Sequence, residues 1–134
     1  MAIPITQAYG VTLPIMHGPR GYFAQSYTII DQIKSNLTLL LRTKKGERRM
    51  NPEFGSGLWS VLFDNYTDDL NQIIESTIRS DVSKWMNYVI IQSISIKSDQ
   101  VDFNKLNVPI TFTVPSVGVT SPQTLDVQIN TNTV

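Results

Sequence analysis

The sequence predicts an α+β fold, with two longer helices and one short helix followed by a small, mainly antiparallel sheet that has an open edge. Two observations predict it. Apolar residues recur at three- and four-residue steps in stretches that end by Met86, and beyond Asn87 the apolar period falls to two. A chain that runs through helices first and strands afterwards folds with helices covering one face of an antiparallel sheet. At 134 residues and 41% hydrophobic content the chain supports a core of its own. Residues 1–25 are expected to form an irregular arm and residues 26–134 a single α+β domain.

The arm holds Pro4, Pro14, Gly18, Pro19 and Gly21 among scattered apolar residues, so no regular period runs through it. Its apolar content suits packing against the domain or insertion into a neighbour. From Ser26 the residues Ile30, Ile33, Leu37, Leu40 and Leu41 form a helical stripe, with Ser26 as the expected cap, Asp31 near the start and Gly46 as the expected terminator after Lys44 and Lys45. Asn51-Pro52 disfavours helix at Asn51. Leu58, Val61, Leu62 and Phe63 then give about two helical turns, which Asp64-Asn65 ends. Thr67, Asp68 and Asp69 are a good helix start. Behind them Leu70, Ile73, Ile74, Ile78, Val82 and Trp85 make one stripe, with Glu75 and Arg79 at ion-pair spacing.

Three strands follow, over residues 89–97, 106–114 and 124–129, with a loop over 98–104 and a linker containing Gly118 and Pro122. In the second strand Leu106, Val108, Ile110, Phe112 and Val114 alternate with polar residues. In the third, Leu125, Val127 and Ile129 do so. Pro109 lacks an amide hydrogen and is tolerated in strands chiefly at edges or bulges, so the second strand is expected to have an open side. Such an edge either accepts a strand from another protein or is simply guarded by the proline against aggregation.

Composition narrows the function. Eleven basic and eleven acidic residues cancel, with like charges adjacent only in short pairs such as Lys44-Lys45 and Arg48-Arg49, so neither nucleic acid nor a membrane is an expected partner. There is no cysteine, which removes disulfides and thiolate chemistry. The start MAIPITQAYG has no signal-peptide pattern, and no apolar run approaches the ~20 residues of a membrane helix. A soluble intracellular protein without cofactor or metal is expected. His17, the one histidine, has no second imidazole to complete a metal set. Gly55-Ser56-Gly57 has neither the length nor the lysine of a phosphate loop. Glu47, Glu53 and Asp64 could serve a glycosidase as acid and base, but they equally suit pairing with the neighbouring lysines and arginines.

The stretch LLLRTKKGERRMNPEFGSGLWSVLFD resembles the baseplate wedge and sheath-initiator family of contractile phage tails, which is related to the baseplate subunit of type VI secretion systems. Thr43, Lys45, Gly46, Glu47, Arg48, Pro52, Glu53, Phe54, Gly55, Leu58, Leu62 and Phe63 occupy the family pattern. A looser similarity runs from Tyr22 to Ile129. The Glu-Pro-Arg triplet of many relatives is replaced by Trp85-Met86-Asn87-Tyr88, and the arm lies outside the similarity.

The resemblance implies a structural, non-enzymatic component of the virion's tail baseplate, assembled in the host cytoplasm. It would bind other wedge proteins, tube-proximal hub proteins and the tail sheath protein, whose first ring it would template by strand addition. Gly46, Glu47, Arg48, Pro52, Glu53, Phe54, Gly55 and Trp59 are the candidates either for wedge contacts or for tying the domain together. Trp59 is singled out because it falls towards the outside of a helix that turns Leu58, Leu62 and Phe63 inwards. Leu106, Val108, Pro109, Ile110, Leu125, Val127 and Ile129 are the candidates for sheath binding. The alternatives are a small carboxylate-based cell-wall glycan hydrolase, an adaptor for a soluble regulator, and the equivalent subunit of a type VI or other phage-like contractile machine.

Overall fold

The computed structural model describes residues 8–13, 15–19, 22–63, 69–98 and 105–130. The expected helix start at Thr67-Asp68, the stop at Asp64-Asn65 and most of the loop over 98–104 lie outside them. The chain divides into two compact units, Met1–Leu39 and Leu40–Val134.

In the first unit, β1 (Gly10–Val11) and β2 (Gln25–Ser26) pair antiparallel, and α1 (Ile29–Arg42) begins directly after them. The ribbon is extended by bonds from Tyr9 N–H to the Ser26 carbonyl (2.9 Å), Thr12 N–H to the Ala24 carbonyl (3.0 Å) and Ala24 N–H to the Met16 carbonyl (2.8 Å). Ser26 Oγ reaches the Gly10 carbonyl (3.3 Å) and the Gln32 side chain, and Leu13 N–H donates to Ser35 Oγ (3.3 Å). The described part of the arm is therefore a short ribbon bonded to the first turns of α1, not an irregular segment. Ser26 is committed to that ribbon, so the cap is Thr28. Its Oγ1 accepts from Asp31 N–H (3.2 Å) and donates to the Asp31 carboxylate, a reciprocal arrangement in the manner of a capping box. Ile33 and Leu37 are the buried residues of the α1 stripe within this unit.

In the second unit, α1 closes at Arg42 rather than Lys45. α2 (Leu58–Phe63) and α3 (Leu70–Trp85) follow, then β3 (Ile90–Ile94), β4 (Lys97–Ser98), β5 (Lys105–Val114) and β6 (Val119–Asn130). Asp69 caps α3 without a side-chain bond, and Ile73, expected on the inner stripe, is 43% exposed. The buried face of α3 is Ile74, Ile78, Asp81 and Val82. With Leu40, Leu41 and Leu58 it supplies the helical side of the core, opposite Leu106, Val108, Ile110, Phe112, Val127 and Ile129 of the sheet. Arg79 Nη1 donates to the Ile91 carbonyl (3.0 Å), joining α3 to β3.

All sheet pairs are antiparallel, and β5 is central. β3 and β4 pair with it on one side, one after the other, and β6 pairs with it along nearly its whole length on the other. The expected open side of the second strand is therefore absent, and Leu106, Val108, Pro109 and Ile110 lie in an interior strand. Pro109 is tolerated for a different reason. Its carbonyl accepts from Ser95 N–H (3.0 Å), so its missing donor faces the gap where β3 has ended and β4 has not begun. Among the described residues the outer strands of this sheet are β3 and β4 on one side and β6 on the other. Pro122, expected in a linker, lies within β6, which is longer than the predicted 124–129. β5 and β6 are joined by a single 3-10 turn, Pro115–Val117, closed by Gly118 at φ +79°.

Candidate functional site

The motif-bearing stretch folds as a loop between α1 and α2, and backbone bonds set its path. Ser56 N–H donates to the Thr43 carbonyl (2.9 Å), bringing Lys44 beside Ser56 as a one-residue parallel bridge. Gly46 has φ +88°, a left-handed conformation that L side chains rarely adopt and glycine takes freely. That conformation lets its N–H reach the Pro52 carbonyl (2.7 Å), while Glu47 N–H returns to the Lys44 carbonyl (3.1 Å). Phe54 N–H closes the Asn51-Pro52-Glu53 turn on the Asn51 carbonyl (3.1 Å). Gly55 is the tightest point. At φ +130° it passes so close to the end of α1 that a Cβ would stand 2.7 Å from the Thr43 carbonyl oxygen.

The loop is anchored by one residue that the sequence-based candidates do not include. Asp81 of α3, with a side chain only 6% exposed, accepts from Ser56 Oγ (2.9 Å) and from Gly57 N–H (3.1 Å) through Oδ2, and Lys45 Nζ lies 3.5 Å from Oδ1. Ser56 Oγ in turn accepts from Leu58 N–H (3.2 Å), so the same hydroxyl links Asp81 to the start of α2. Hydrogen bonds to an ionised group contribute about 1.5–3 kcal/mol each, whereas the attraction to the half-exposed Lys45 is largely screened. The signal for Asp81 was present in the sequence. It stands three residues after Ile78 and seven after Ile74, a lone carboxylate on an otherwise apolar stripe.

Around this anchor, cations lie over aromatic faces. The Arg48 guanidinium is 4.2 Å from the Phe54 ring centre, Phe54 meets Trp85 edge-on at 5.2 Å, and Lys84 Nζ is 5.3 Å from the Trp85 ring. Lys84 also lies 3.5 Å from Glu53. Lys44 Nζ sits 4.4 Å over Trp59, so that ring is half-buried and covered by its own chain. The indole N–H groups of Trp59 and Trp85 are buried with no acceptor among the described residues.

The carboxylates considered for catalysis have local partners. Glu47 accepts from Lys44 N–H (3.0 Å), exposed Glu53 faces Lys84, and Asp64 is outside the described residues. Among the described residues no group of three or more His, Cys, Asp or Glu could hold a metal ion. Gly46, Glu47, Arg48, Pro52, Glu53, Phe54, Gly55 and Trp59 thus come together in one loop and the first turn of α2. Of these, Gly55 is buried and Phe54 and Trp59 are half-buried, while Gly46, Glu47, Arg48, Pro52 and Glu53 are exposed.

The strand candidates separate by position. On β6, Leu125, Val127 and Ile129 stand opposite Ile110, Val108 and Leu106. Because Pro109 directs its carbonyl away from β6, its partner Asp126 directs its own N–H and carbonyl away from β5. By the alternation of the ladder, Thr124 and Gln128 do the same. The β6 backbone groups turned away from β5 thus include those of Thr124, Asp126 and Gln128, while those of Leu125, Val127 and Ile129 face inwards.

The family model for baseplate wedge protein gp25 matches residues 28–118. No curated protein matches significantly. Among solved structures, a Geobacter sulfurreducens protein named as a candidate tail lysozyme is 20% identical, with a TM-score of 0.69 over 79% of this chain and 94% of that one. A chain of the anti-feeding prophage baseplate is 17% identical, with a TM-score of 0.58 over 92% of this chain and 85% of that one. A chain of the type VI secretion baseplate complex is 12% identical, with a TM-score of 0.55 over 78% of this chain and 95% of that one. At these identities the likeness is one of fold.

Proposed function

This chain belongs to the baseplate wedge protein gp25 family, and from that premise we propose that it is a non-enzymatic structural component of a contractile-tail baseplate that templates the first ring of sheath subunits. The observation that carries the templating step is β6, a strand of twelve residues paired only with β5 among the described residues. Its outer edge offers the backbone groups of Thr124, Asp126 and Gln128 to an incoming strand. The buried residues Val127 and Ile129 hold it to the core from the other side. Its partners are other wedge proteins, tube-proximal hub proteins and the sheath protein, in a virion tail or a related contractile machine, with assembly in the host cytoplasm. Loop 43–57 and the start of α2 both tie the second unit together and form the wedge-facing surface.

Replacing Gln128 with proline removes an outward N–H and leaves the bonds to β5 in place. The variant should still enter baseplates, seen by cryo-electron microscopy of assembled particles, while sheath fails to seat on them. Normal sheaths on Gln128→Pro baseplates would overturn the templating role of this edge.

A further inference from the structure

Charge is distributed unevenly along a chain that is neutral as a whole. Residues 42–49 hold five basic residues, Arg42, Lys44, Lys45, Arg48 and Arg49, against the single acid Glu47. The rest of the chain therefore has six basic and ten acidic residues. Only Lys45 is drawn inwards, towards Asp81. Lys44 and Arg48 are held over aromatic faces, which fixes their position without neutralising them. Arg42 and Arg49 are exposed and have no ion pair among the described residues. Beside them Met50 is 99% exposed, whereas the next most exposed large apolar side chain among the described residues of the second unit, Ile90, is 53% exposed.

We propose that Arg42, Lys44, Arg48, Arg49 and Met50 form a docking surface for an acidic protein segment that carries an apolar socket for the Met50 side chain. This deepens the wedge-facing role given above and rests on it. Charge complementarity selects the partner: residues 42–49 carry four more positive than negative charges and steer an acidic surface, and a bare methionine that follows two arginines supplies an adaptable apolar anchor. Cations already ordered over rings lose less freedom on binding. Nucleic acid fits less well. The faces of Phe54 and Trp59 are occupied by the chain's own cations rather than open for base stacking, and Glu47 and Glu53 stand within the same loop.

The test places p-benzoylphenylalanine at position 50 of the full chain, co-expresses it with the other wedge subunits of its baseplate, and maps the photo-cross-links. In parallel, the double variant Arg49→Glu/Met50→Asp is scored for co-purification with the same subunits. Cross-links to a net-negative segment of another subunit, with a loss of at least about tenfold in co-purification at an unchanged melting temperature, are expected. The inference is overturned by cross-links to a basic or neutral segment, to nucleic acid or to a second copy of this chain, and equally by undiminished co-purification of the double variant. If the unaltered chain itself fails to join the wedge, the family-based role fails as well, which separates the two outcomes.

Discussion

The loop over residues 43–57 and the β5–β6 hairpin are held by opposite means. The hairpin is a continuous ladder whose inner face is apolar, with Leu106, Val108, Ile110 and Phe112 meeting Leu125, Val127 and Ile129 in register or nearby. The loop buries little apolar surface of its own and depends on one carboxylate, Asp81, that gathers a hydroxyl, a backbone amide and an ammonium from another part of the chain. Stability in the hairpin is spread over many small contributions. In the loop it is concentrated in a few polar bonds of high individual value, so the loop is specified more sharply and damaged more selectively.

Four substitutions sharpen or break that comparison. Phe112→Ala empties a site 1% exposed in the middle of the central strand and should cost about 4 kcal/mol in urea unfolding, a loss felt by the whole unit. Asp81→Ala should cost about 3 kcal/mol, because Ser56 Oγ and Gly57 N–H lose a buried acceptor, whereas Lys45→Ala should cost under about 1 kcal/mol. Equal effects of the last two would mean that the ion pair, not the hydrogen bonds, organises the loop. Gly55→Ala adds a Cβ against the Thr43 carbonyl at a positive φ and should cost about 2 kcal/mol, with faster amide exchange of Ser56 as its local signature. Unchanged exchange there would show that the loop can shift without loosening.

Much of the α+β layout was legible because it is written in local periodicity. The stripes of α1 and α3 and the alternation in β5 appear as soon as residues are counted at the right step, and Gly46 and Gly55 mark turns that side chains resist. The misses share a cause. Ser26 looked like a cap because it precedes the stripe, yet its hydroxyl is used by Gly10 and Gln32, and Thr28 caps α1 instead. Pro109 suggested an edge, yet a break between β3 and β4 satisfies the same constraint inside the sheet. In both cases the residue's local requirement was right and the partner that met it lay elsewhere.

The motif from Thr43 to Phe63 likewise pointed to the family that the match over residues 28–118 assigns. What it did not contain was its own anchor, since Asp81 lies 25 residues beyond Ser56. Sequence alone determined the types of the main helices and strands, most of their apolar faces and the glycine-dependent turns, because these follow from steric and periodic rules acting over a few residues. Tertiary structure decided that β5 is central, that β6 pairs only with β5 among the described residues, and that a single buried carboxylate locks the loop. Strand order and buried polar partnership are settled by contacts between distant segments, where each hydrogen-bonding group must find a partner once water is excluded.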